Sequence, residues 1–297
     1  MTYPYMRGAY PALVTPFTEN GSAVALDKLG AMVERHVQKG VSGLFICGTT
    51  GQGPNLTADE KIAVVREVVS AAAGRFEVWA QVTCDDWPGT LKTIDAALKT
   101  DVTGLSFLQP WYYGVDVEAQ YQFHARAAER VEGKPVYLYN IPQCAGNNIE
   151  VDTVKRLLDS FEVIRGIKES ASPAAVRRWL DLQCERFHAT CGVDTVVAEM
   201  LRLGIEANVT SFGNAVPDYF VNIHNAARKA DWTLATEWQQ KLNRLVDAWD
   251  SSVLIPKLLE AYCIFGVETG CVRPPLRELS DAERANVKEW IEKEGLQ

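Results

Sequence analysis

The amino-acid sequence predicts a (β/α)8 TIM barrel with a C-terminal helical extension. Short apolar runs alternate with longer amphipathic segments about eight times over residues 8–229, which is the pattern of right-handed βα units in a parallel sheet. About eight such units close a sheet into a barrel. Because only helical periodicity remains afterwards, we expect a barrel over residues 1–230 and a packed helical extension over residues 231–297.

The strands are expected where short apolar runs end at turn-forming or polar residues. In chain order they are Tyr10–Val14, Gly43–Cys47, Glu77–Val82, Gly104–Leu108, Pro135–Tyr139, Val163–Lys168, Phe187–Cys191 and Ala207–Thr210. An open doubly wound sheet is the alternative, but it would normally carry a glycine-rich phosphate turn after its first strand. Thr15-Pro16-Phe17 stands there instead, which favours the barrel.

Helices are expected where apolar residues recur with a period near 3.6 residues. The second helix has a capping box at Thr57-Ala58-Asp59-Glu60, and the third begins after Asp86 with Pro88 in its first turn. The barrel helices are predicted at Leu26–Lys39, Thr57–Ala73, Trp87–Leu98, Val117–Val131, Val151–Leu158, Pro173–Cys184, Thr195–Leu203 and Tyr219–Lys229. Those of the extension are Trp232–Trp249, Val253–Phe265 and Asp281–Glu294.

Composition and charge exclude several classes of function. A formal net charge of -8 argues against nucleic-acid binding. No apolar run is long enough to span a bilayer, and Met1–Tyr5 does not begin a signal peptide, so we expect a cytoplasmic protein without a membrane partner. An odd count of 7 cysteines without a C-x-x-C pair indicates free thiols. The 4 histidines show no paired spacing either, so no metal site is expected.

A lysine ends the sixth predicted strand, in the stretch Gly166–Ser170. Burial disfavours the charged ammonium, so the pKa of Lys168 is expected to fall. A fraction of the molecules then carries Lys168 as a neutral amine. A neutral amine can attack a ketone and form a Schiff base, which acts as an electron sink for breaking a neighbouring carbon bond. The alternative is a lysine whose ammonium simply reaches water.

Three other predicted strand ends carry unusual residues. Gly48-Thr49-Thr50-Gly51 begins a glycine-rich turn whose N–H groups and hydroxyls suit a carboxylate, although a plain turn has the same composition. Tyr139 ends the fifth strand and could move a proton at the barrel mouth, or be an ordinary packing aromatic. Trp111-Tyr112-Tyr113 follows the fourth strand and fits either a packing patch or a contact between subunits.

Together these motifs identify a family resemblance. Gly48-Thr49-Thr50-Gly51, Tyr139-Asn140-Ile141-Pro142 and Gly166-Ile167-Lys168-Glu169 resemble, in order and spacing, the signatures of the dihydrodipicolinate synthase and N-acetylneuraminate lyase family. With Pro11–Phe17 and Arg273–Leu276 the resemblance extends over nearly the whole chain. It implies a (β/α)8 barrel with a helical extension, a homotetramer built from dimers, no metal or other cofactor, and a Schiff base between Lys168 and pyruvate or a longer 2-keto acid.

The resemblance also implies roles for individual residues. Thr49 and Thr50 would hold the carboxylate of the keto acid, and Tyr139 would be the general acid/base. Thr50 would link Tyr139 to Tyr112 of a neighbouring subunit, with Tyr113 as the alternative. The protonated imine would then allow either cleavage of the C3–C4 bond or loss of a C3 proton.

Departures from the family pattern bear on the substrate. In the synthase, an arginine that binds a substrate carboxylate follows the tyrosine motif; Cys144 stands there, and a thiol cannot make a bidentate carboxylate contact. Neuraminate lyases typically have serine-threonine where this chain has Thr49-Thr50. Gly51–Leu56 looks more like the 2-keto-3-deoxygluconate aldolases, although Gln52 replaces the usual glutamate.

The sequence thus favours a Schiff-base aldolase acting on a 2-keto-3-deoxy sugar acid or related 2-keto acid, with pyruvate and an aldehyde as the partners. Ser170, Ser211 and Asn214 are candidates for the aldehyde half, although Ser170 could cap a helix and Asn214 could belong to a turn. The alternatives are a dehydratase of the same sugar acids, then the synthase or the neuraminate lyase, then a non-catalytic keto-acid-binding barrel. A metal-dependent aldolase has only Asp85-Asp86 in its favour, which helix capping explains better.

Overall fold

The computed structural model of the protein describes residues 3–249 and 251–296. Its centre is an 8-stranded parallel sheet in the order β1-β8-β7-β6-β5-β4-β3-β2. The strands are β1 (Gly8–Pro11), β2 (Gly43–Ile46), β3 (Glu77–Gln81), β4 (Gly104–Leu108), β5 (Val136–Asn140), β6 (Ile164–Glu169), β7 (His188–Cys191) and β8 (Ala207–Thr210). The predicted (β/α)8 fold is confirmed.

The barrel closes just beyond the end of β1. The N–H of Ala12 still donates to Thr210 O of β8 at 2.7 Å, while the N–H of Leu13 donates to Phe45 O of β2 at 3.0 Å. A parallel bridge pairs Ala12 with Phe45 at this point. The chain at the end of β1 therefore bonds to β8 on one side and to β2 on the other, which closes the barrel.

Helices alternate with the strands and form the outer layer. They are α1 (Leu26–Gln38), α2 (Ala58–Ala72), α3 (Trp87–Ala97), α4 (Val117–Ala128), α5 (Pro142–Ala145), α6 (Val151–Ser160), α7 (Pro173–Arg177), α8 (Val197–Arg202), α9 (Pro217–Arg228), α10 (Trp232–Ala248), α11 (Leu254–Ile264) and α12 (Asp281–Lys293). The predicted caps are present: Thr57 and Glu60 form a reciprocal capping box, and Asp86 accepts from the N–H of Gly89 at 2.6 Å.

One predicted helix is shorter than expected. The pattern over Pro173–Cys184 gives only α7, which ends at Arg177, followed by a 3-10 turn at Leu180–Leu182. The indole N–H of Trp179 donates to Glu169 at 2.9 Å, inside the protein. This tertiary hydrogen bond fixes the chain where local periodicity would have continued the helix.

Aromatic side chains fill the interior of the barrel below its mouth. Tyr10, Trp79 and Tyr137 are fully buried there, with the rings of Trp79 and Tyr137 edge to face at 4.8 Å. Gly166 makes room for this layer, because a Cβ at that position would clash with the ring of Tyr137. Side chains two residues apart in a strand share a face, so Lys168 points into the barrel like Gly166 and lies directly above this aromatic layer.

The C-terminal helices pack on the barrel through a shared core. One continuous cluster of buried residues joins Phe212 and Phe220 of the barrel to Leu242, Tyr262 and Ile291 of the extension. The boundary near residue 230 remains a prediction, since the core crosses it. Within the described ranges, no helix is both long and apolar enough to cross a membrane.

Candidate active site

Lys168 is a buried amine at the C-terminal end of β6. Its side chain is 5% exposed, and its strand neighbours at the same level are Tyr139 on β5 and Thr190 on β7. The Nζ atom lies 3.6 Å from the centre of the Tyr139 ring and 4.6 Å from that of Phe45. Burial lowers the pKa of Lys168 to about 7, against smaller opposing effects of Asp194 and Cys144. Near pH 7, Lys168 is therefore a neutral amine in roughly half of the molecules.

Tyr139 places a phenol beside this amine. Its ring packs edge-on against Phe45 with centroids 5.8 Å apart, and its hydroxyl lies 3.1 Å from the hydroxyl of Thr49. Burial raises the pKa of Tyr139 far above its usual value, while the hydrogen bond with Thr49 partly opposes the shift. The phenol is therefore protonated at neutral pH and has a hydroxyl neighbour with which it can exchange a proton.

The glycine-rich turn after β2 brings the two threonines to different neighbours. Thr49 contacts Tyr139, whereas the hydroxyl of Thr50 lies 2.7 Å from the hydroxyl of Ser211 on the loop after β8. Gly51 anchors the turn by accepting from the hydroxyl of Thr15 at 2.7 Å. The expected link from Thr50 to Tyr139 is thus made by Thr49, because adjacent side chains of a tight turn point in different directions.

Gln52, the unusual residue of this turn, has a structural role. It is buried in a left-handed conformation, and its side-chain carbonyl accepts from the N–H of Arg273 at 3.1 Å. Arg273 in turn forms an ion pair with Glu60 and donates to Asn55 O at 2.8 Å. An amide carbonyl accepts such a bond as a carboxylate would, so the replacement keeps the turn attached to the C-terminal extension.

Ser170 and Cys144 lie at the mouth next to Lys168. The hydroxyl of Ser170 is close enough to Tyr139 to lower the pKa of the phenol slightly, yet within the described residues it has no hydrogen-bond partner of ordinary geometry. Ser172, and not Ser170, caps α7 by accepting from Ala175 at 3.1 Å. Cys144 is exposed at the end of α5, and partial burial raises the pKa of its thiol while Lys168 lowers it.

Asn214 is not available to a substrate. It is fully buried, and its amide donates to Ala12 O and Ser211 O, each at 2.8 Å. Its carbonyl accepts from the N–H of Val14 at 3.1 Å. The turn interpretation therefore applies: Asn214 joins the loop after β8 to the segment that closes the barrel.

Asp194 is a residue of the mouth that the sequence analysis did not select. Its carboxylate accepts from the N–H of Phe212 at 3.3 Å. Burial raises the pKa of Asp194 to about 6. Hydrogen bonds from the backbone of Phe212 and Ser211 and from the side chain of Thr210, together with the charge of Lys168, act in the opposite direction. The signal was its position three residues after the end of β7, since loops at the C-terminal ends of barrel strands carry reactive groups.

Glu169 holds β6 in place behind the site. Its buried carboxylate accepts from Asn140 at 2.8 Å, from Trp179 at 2.9 Å and from Arg178 at 3.0 Å. The N–H of Ala171 donates to the other carboxylate oxygen at 2.9 Å. The residue after Lys168 is thus fixed from both the strand and the helix side, and so is the position of Lys168.

Tyr112 and Tyr113 lie outside the mouth of their own chain. Tyr112 is 88% exposed and Tyr113 is 73% exposed, and their rings meet edge to face at 5.2 Å. Tyr112 also has a positive φ of 73°, a strained conformation for a tyrosine. Within a single chain, therefore, neither phenol joins Tyr139.

Comparison with known proteins shows the family of the chain. The model of the dihydrodipicolinate synthetase family matches residues 5–294. The chain belongs to that family. Members are class I aldolases and lyases that work through a Schiff base, so the protein is an enzyme of this class.

Individual relatives and solved structures show the degree of similarity in sequence and in fold. The 4-hydroxy-tetrahydrodipicolinate synthase of Sorangium cellulosum is 34% identical over 217 residues, which are 71% of this chain and 70% of that one. YagE, a prophage protein of this family from E. coli K12 solved in complex with pyruvate, superposes with a TM-score of 0.91 at 26% identity, covering 99% of this chain and 100% of its own. A variant of Sulfolobus solfataricus 2-keto-3-deoxygluconate aldolase has a TM-score of 0.87 at 22% identity, with coverages of 96% and 95%, which shows the shared fold alone.

No metal centre is evident in the part of the chain that the structure describes. No group of three or more His, Cys, Asp and Glu side chains there could hold an ion. Asp85 and Asp86, the pair considered from sequence, include the helix cap already described. The groups assembled around Lys168 are an amine, a phenol, hydroxyls, a thiol and a single carboxylate.

Proposed function

We propose that the protein is a Schiff-base aldolase that cleaves or forms the C3–C4 bond of a 2-keto-3-deoxy sugar acid or a related 2-keto acid, with pyruvate as one product. The observation that carries this proposal is the buried Lys168 amine, 3.6 Å from the ring of Tyr139 and with a pKa of about 7. A lysine that reached bulk water would have neither property.

In the cleavage direction, Lys168 adds to the C2 ketone and loses water to give a protonated imine. As the C3–C4 bond breaks, its electron pair enters the imine to give an enamine, and the proton of the C4 hydroxyl leaves as C4 becomes an aldehyde. Tyr139 takes this proton as it passes its own to Thr49, and Thr49 releases its hydroxyl proton to water at the mouth, so that both hydroxyls stay neutral; this relay suits a phenol with a raised pKa. Protonation at C3 and hydrolysis of the imine then release pyruvate.

The two ends of the substrate meet different surroundings. Thr49 and Thr50, with the N–H groups of the turn from Gly48 to Gly51, bind the carboxylate of the pyruvate half. We assign Ser170, Ser211, Cys144 and the carboxylate of Asp194 to the aldehyde side, with Ser211 next to Thr50 where the two halves meet. These groups suit the hydroxyls of a neutral sugar chain. A second carboxylate would be repelled by Asp194 and would find no cation at Cys144.

Synthesis of 4-hydroxy-tetrahydrodipicolinate is the second candidate. It is favoured by the likeness to relatives such as the 4-hydroxy-tetrahydrodipicolinate synthase of Sorangium cellulosum, which is 34% identical. A sugar-acid dehydratase uses the same lysine and tyrosine but expels a hydroxyl and not an aldehyde. The Cys144 and Asp194 surroundings argue for either sugar-acid activity over the synthase.

Assembly from two or more copies is part of the proposal. An isolated chain leaves Tyr112 at 88% exposure in a strained backbone, and such conformations persist where they serve a contact or a site. We expect a homotetramer built from dimers, in which Tyr112 of one subunit approaches the mouth of its neighbour and extends the proton relay of Tyr139.

A substrate panel tests the choice of reaction. Purified enzyme is incubated with 2-keto-3-deoxygluconate, with 2-keto-3-deoxygalactonate, and with pyruvate plus aspartate semialdehyde, and the products are separated by mass. Pyruvate together with an aldehyde from a sugar acid supports the aldolase. Loss of water without carbon–carbon cleavage identifies the dehydratase. Turnover of the pair of pyruvate and aspartate semialdehyde, with no turnover of either sugar acid, identifies the synthase. Either result would reject the proposed reaction.

A further inference from the structure

The loop that carries Tyr112 is held by one side chain from the next loop of the barrel. Asn147 is buried, and its amide nitrogen donates to Pro110 O and to Tyr113 O, each at 2.8 Å. Its side-chain carbonyl accepts from the N–H of Val115 at 3.1 Å. These three bonds fasten the chain on both sides of Tyr112, so the strained residue stands between two fixed points.

The three bonds of Asn147 to the Tyr112 loop form a clamp, and Gln109, directly after β4, supports it. Its side-chain nitrogen donates to Asn147 O, and its side-chain oxygen accepts from the N–H of Ile141 at 2.9 Å. The N–H of Gln109 also donates to Tyr139 O at 3.2 Å. The Tyr112 loop is thereby attached to the strand end that carries the catalytic phenol.

A second set of hydrogen bonds connects the clamp to β6. Next to Asn147, the side chain of Asn148 accepts from Asn140 at 2.9 Å, and Asn140 also donates to Glu169 at 2.8 Å. Glu169 follows Lys168 directly. Buried and partly buried hydrogen bonds therefore run from the strand of Lys168 to the Tyr112 loop, and Asn147 is the last side chain on that path.

We propose that Asn147 is a positioning residue that sets the conformation in which Tyr112 is presented to a second copy of this chain. The inference rests on the proposed function, because it gives Tyr112 a part in the proton relay. Without the clamp, Tyr112 would relax from its positive φ and its phenol would leave the position from which it can reach a neighbouring mouth. Asn147 itself touches no substrate.

A double-mutant cycle with pyruvate alone tests this. The rate of exchange of the C3 protons of pyruvate in deuterated water is measured by NMR for the wild type, Asn147→Ala, Tyr112→Phe and the double variant. We expect Asn147→Ala to slow exchange about tenfold in the wild-type background and less than about twofold in the Tyr112→Phe background. Asn147→Asp, which keeps the acceptor for Val115 but loses both donors, should follow the same pattern.

Gln183 offers a matched control at the other end of the barrel. Its side-chain amide also bridges two backbone segments, donating to Gly204 O at 2.9 Å and accepting from the N–H of Ala189 at 3.3 Å. Gln183→Ala should lower thermal stability to a similar degree without changing the exchange rate. A purely structural role for Asn147 would make both variants alike.

Three results would overturn the inference: equal slowing by Asn147→Ala in both backgrounds, no slowing at all, or an unchanged rate in Tyr112→Phe. Trapping with borohydride separates its failure from that of the proposed function. If pyruvate is trapped on Lys168 in every variant but the cycle is additive, only the role of Asn147 fails. If the wild type traps no pyruvate, the proposed function fails first.

Discussion

The burial of Lys168 that makes its amine reactive also lowers the stability of the folded protein. Its pKa of about 7 in place of 10.5 means that the unfolded chain binds a proton more tightly than the folded one. A difference of one in pKa between the folded and the unfolded state corresponds to about 1.4 kcal/mol. At pH 7 the folded protein therefore carries an unfavourable contribution of up to roughly 5 kcal/mol from this one group.

Replacing Lys168 should stabilise the fold while abolishing activity. At pH 7, urea unfolding of Lys168→Met is expected to give a higher free energy of unfolding than the wild type. This advantage should shrink as the pH rises from 7 towards 10.5, because the unfolded chain loses its proton over that window. A stability difference that stays constant across the window would contradict the lowered pKa.

Tyr139 should affect the proton transfers more than the formation of the imine. Tyr139→Phe is expected to slow turnover by about two to four orders of magnitude, the usual range for a general acid/base, while pyruvate can still be trapped on Lys168. Tyr137→Phe is the matched control, since Tyr137 lies two residues earlier on the same face of β5 and, among the described residues, its hydroxyl accepts from the N–H of Met6. Equal turnover in Tyr139→Phe and the wild type would remove the proposed role.

Asp194 should shift the pH dependence of imine formation. The reaction needs the neutral amine, so its rate should rise through about pH 7 and then level off. Because the Asp194 charge favours the ammonium form, Asp194→Asn should move this rise to lower pH and raise KM for a sugar acid more than for pyruvate. Stopped-flow measurement of imine formation between pH 5 and pH 9 checks the direction; a shift to higher pH would contradict it.

The sequence predicted only part of the site at this scale. Lys168 and Tyr139 could be found because each ends an apolar run at a barrel strand end. Asp194 was missed because it lies in the short connection between β7 and the helix predicted from Thr195, where a single aspartate does not stand out by composition. The contacts of Thr49 and Thr50 depend on the direction of two adjacent side chains in a tight turn, which composition does not specify.

At the scale of elements, β6 depends on the Glu169 carboxylate. Glu169→Gln replaces one carboxylate oxygen by an NH2 group, which cannot accept, so either the N–H of Ala171 or the three donors of Asn140, Arg178 and Trp179 lose their acceptor. We expect a loss of about 1–3 kcal/mol in the free energy of unfolding. Glu199→Gln, which breaks an exposed ion pair with Arg177, should cost less than about 1 kcal/mol. Similar losses measured by urea unfolding would contradict the role of Glu169.

The elements themselves were largely predictable because apolar periodicity and capping residues agree with the tertiary fold. β4 and β8 have the predicted bounds, and the capping box of α2 forms as expected. The helix predicted over Pro173–Cys184 failed where Glu169 binds Trp179, ten residues along the chain. Contacts of that kind are invisible to a local pattern.

At the scale of the whole molecule, buried histidines make the fold sensitive to acid. Burial lowers the pKa of His36, His124 and His224 from 6.5 to about 3. Below pH 6.5 the unfolded chain takes up these protons while the folded one does not, so stability falls as the pH falls towards 3. Each histidine contributes a slope of about 1.4 kcal/mol per pH unit.

His124 isolates this effect, because neither of its ring nitrogens has a hydrogen-bond partner among the described residues. His124→Leu is therefore expected to flatten the acid limb by about one histidine's slope, or about 1.4 kcal/mol per pH unit, in urea unfolding between pH 6 and pH 4. Measurements at pH 8, where the histidine is neutral in both states, are the control. An unchanged slope would show that His124 is not buried in its neutral form.

In the proposed reaction, pyruvate becomes covalently attached to one nitrogen in the mouth of the barrel, Nζ of Lys168. Incubation of the full-length protein with pyruvate and borohydride, followed by peptide mass spectrometry, tests it most directly. We expect one reduced pyruvate per chain, located on Lys168 and still formed in the presence of a chelator. Absence of an adduct, or an adduct on another lysine, would contradict the account.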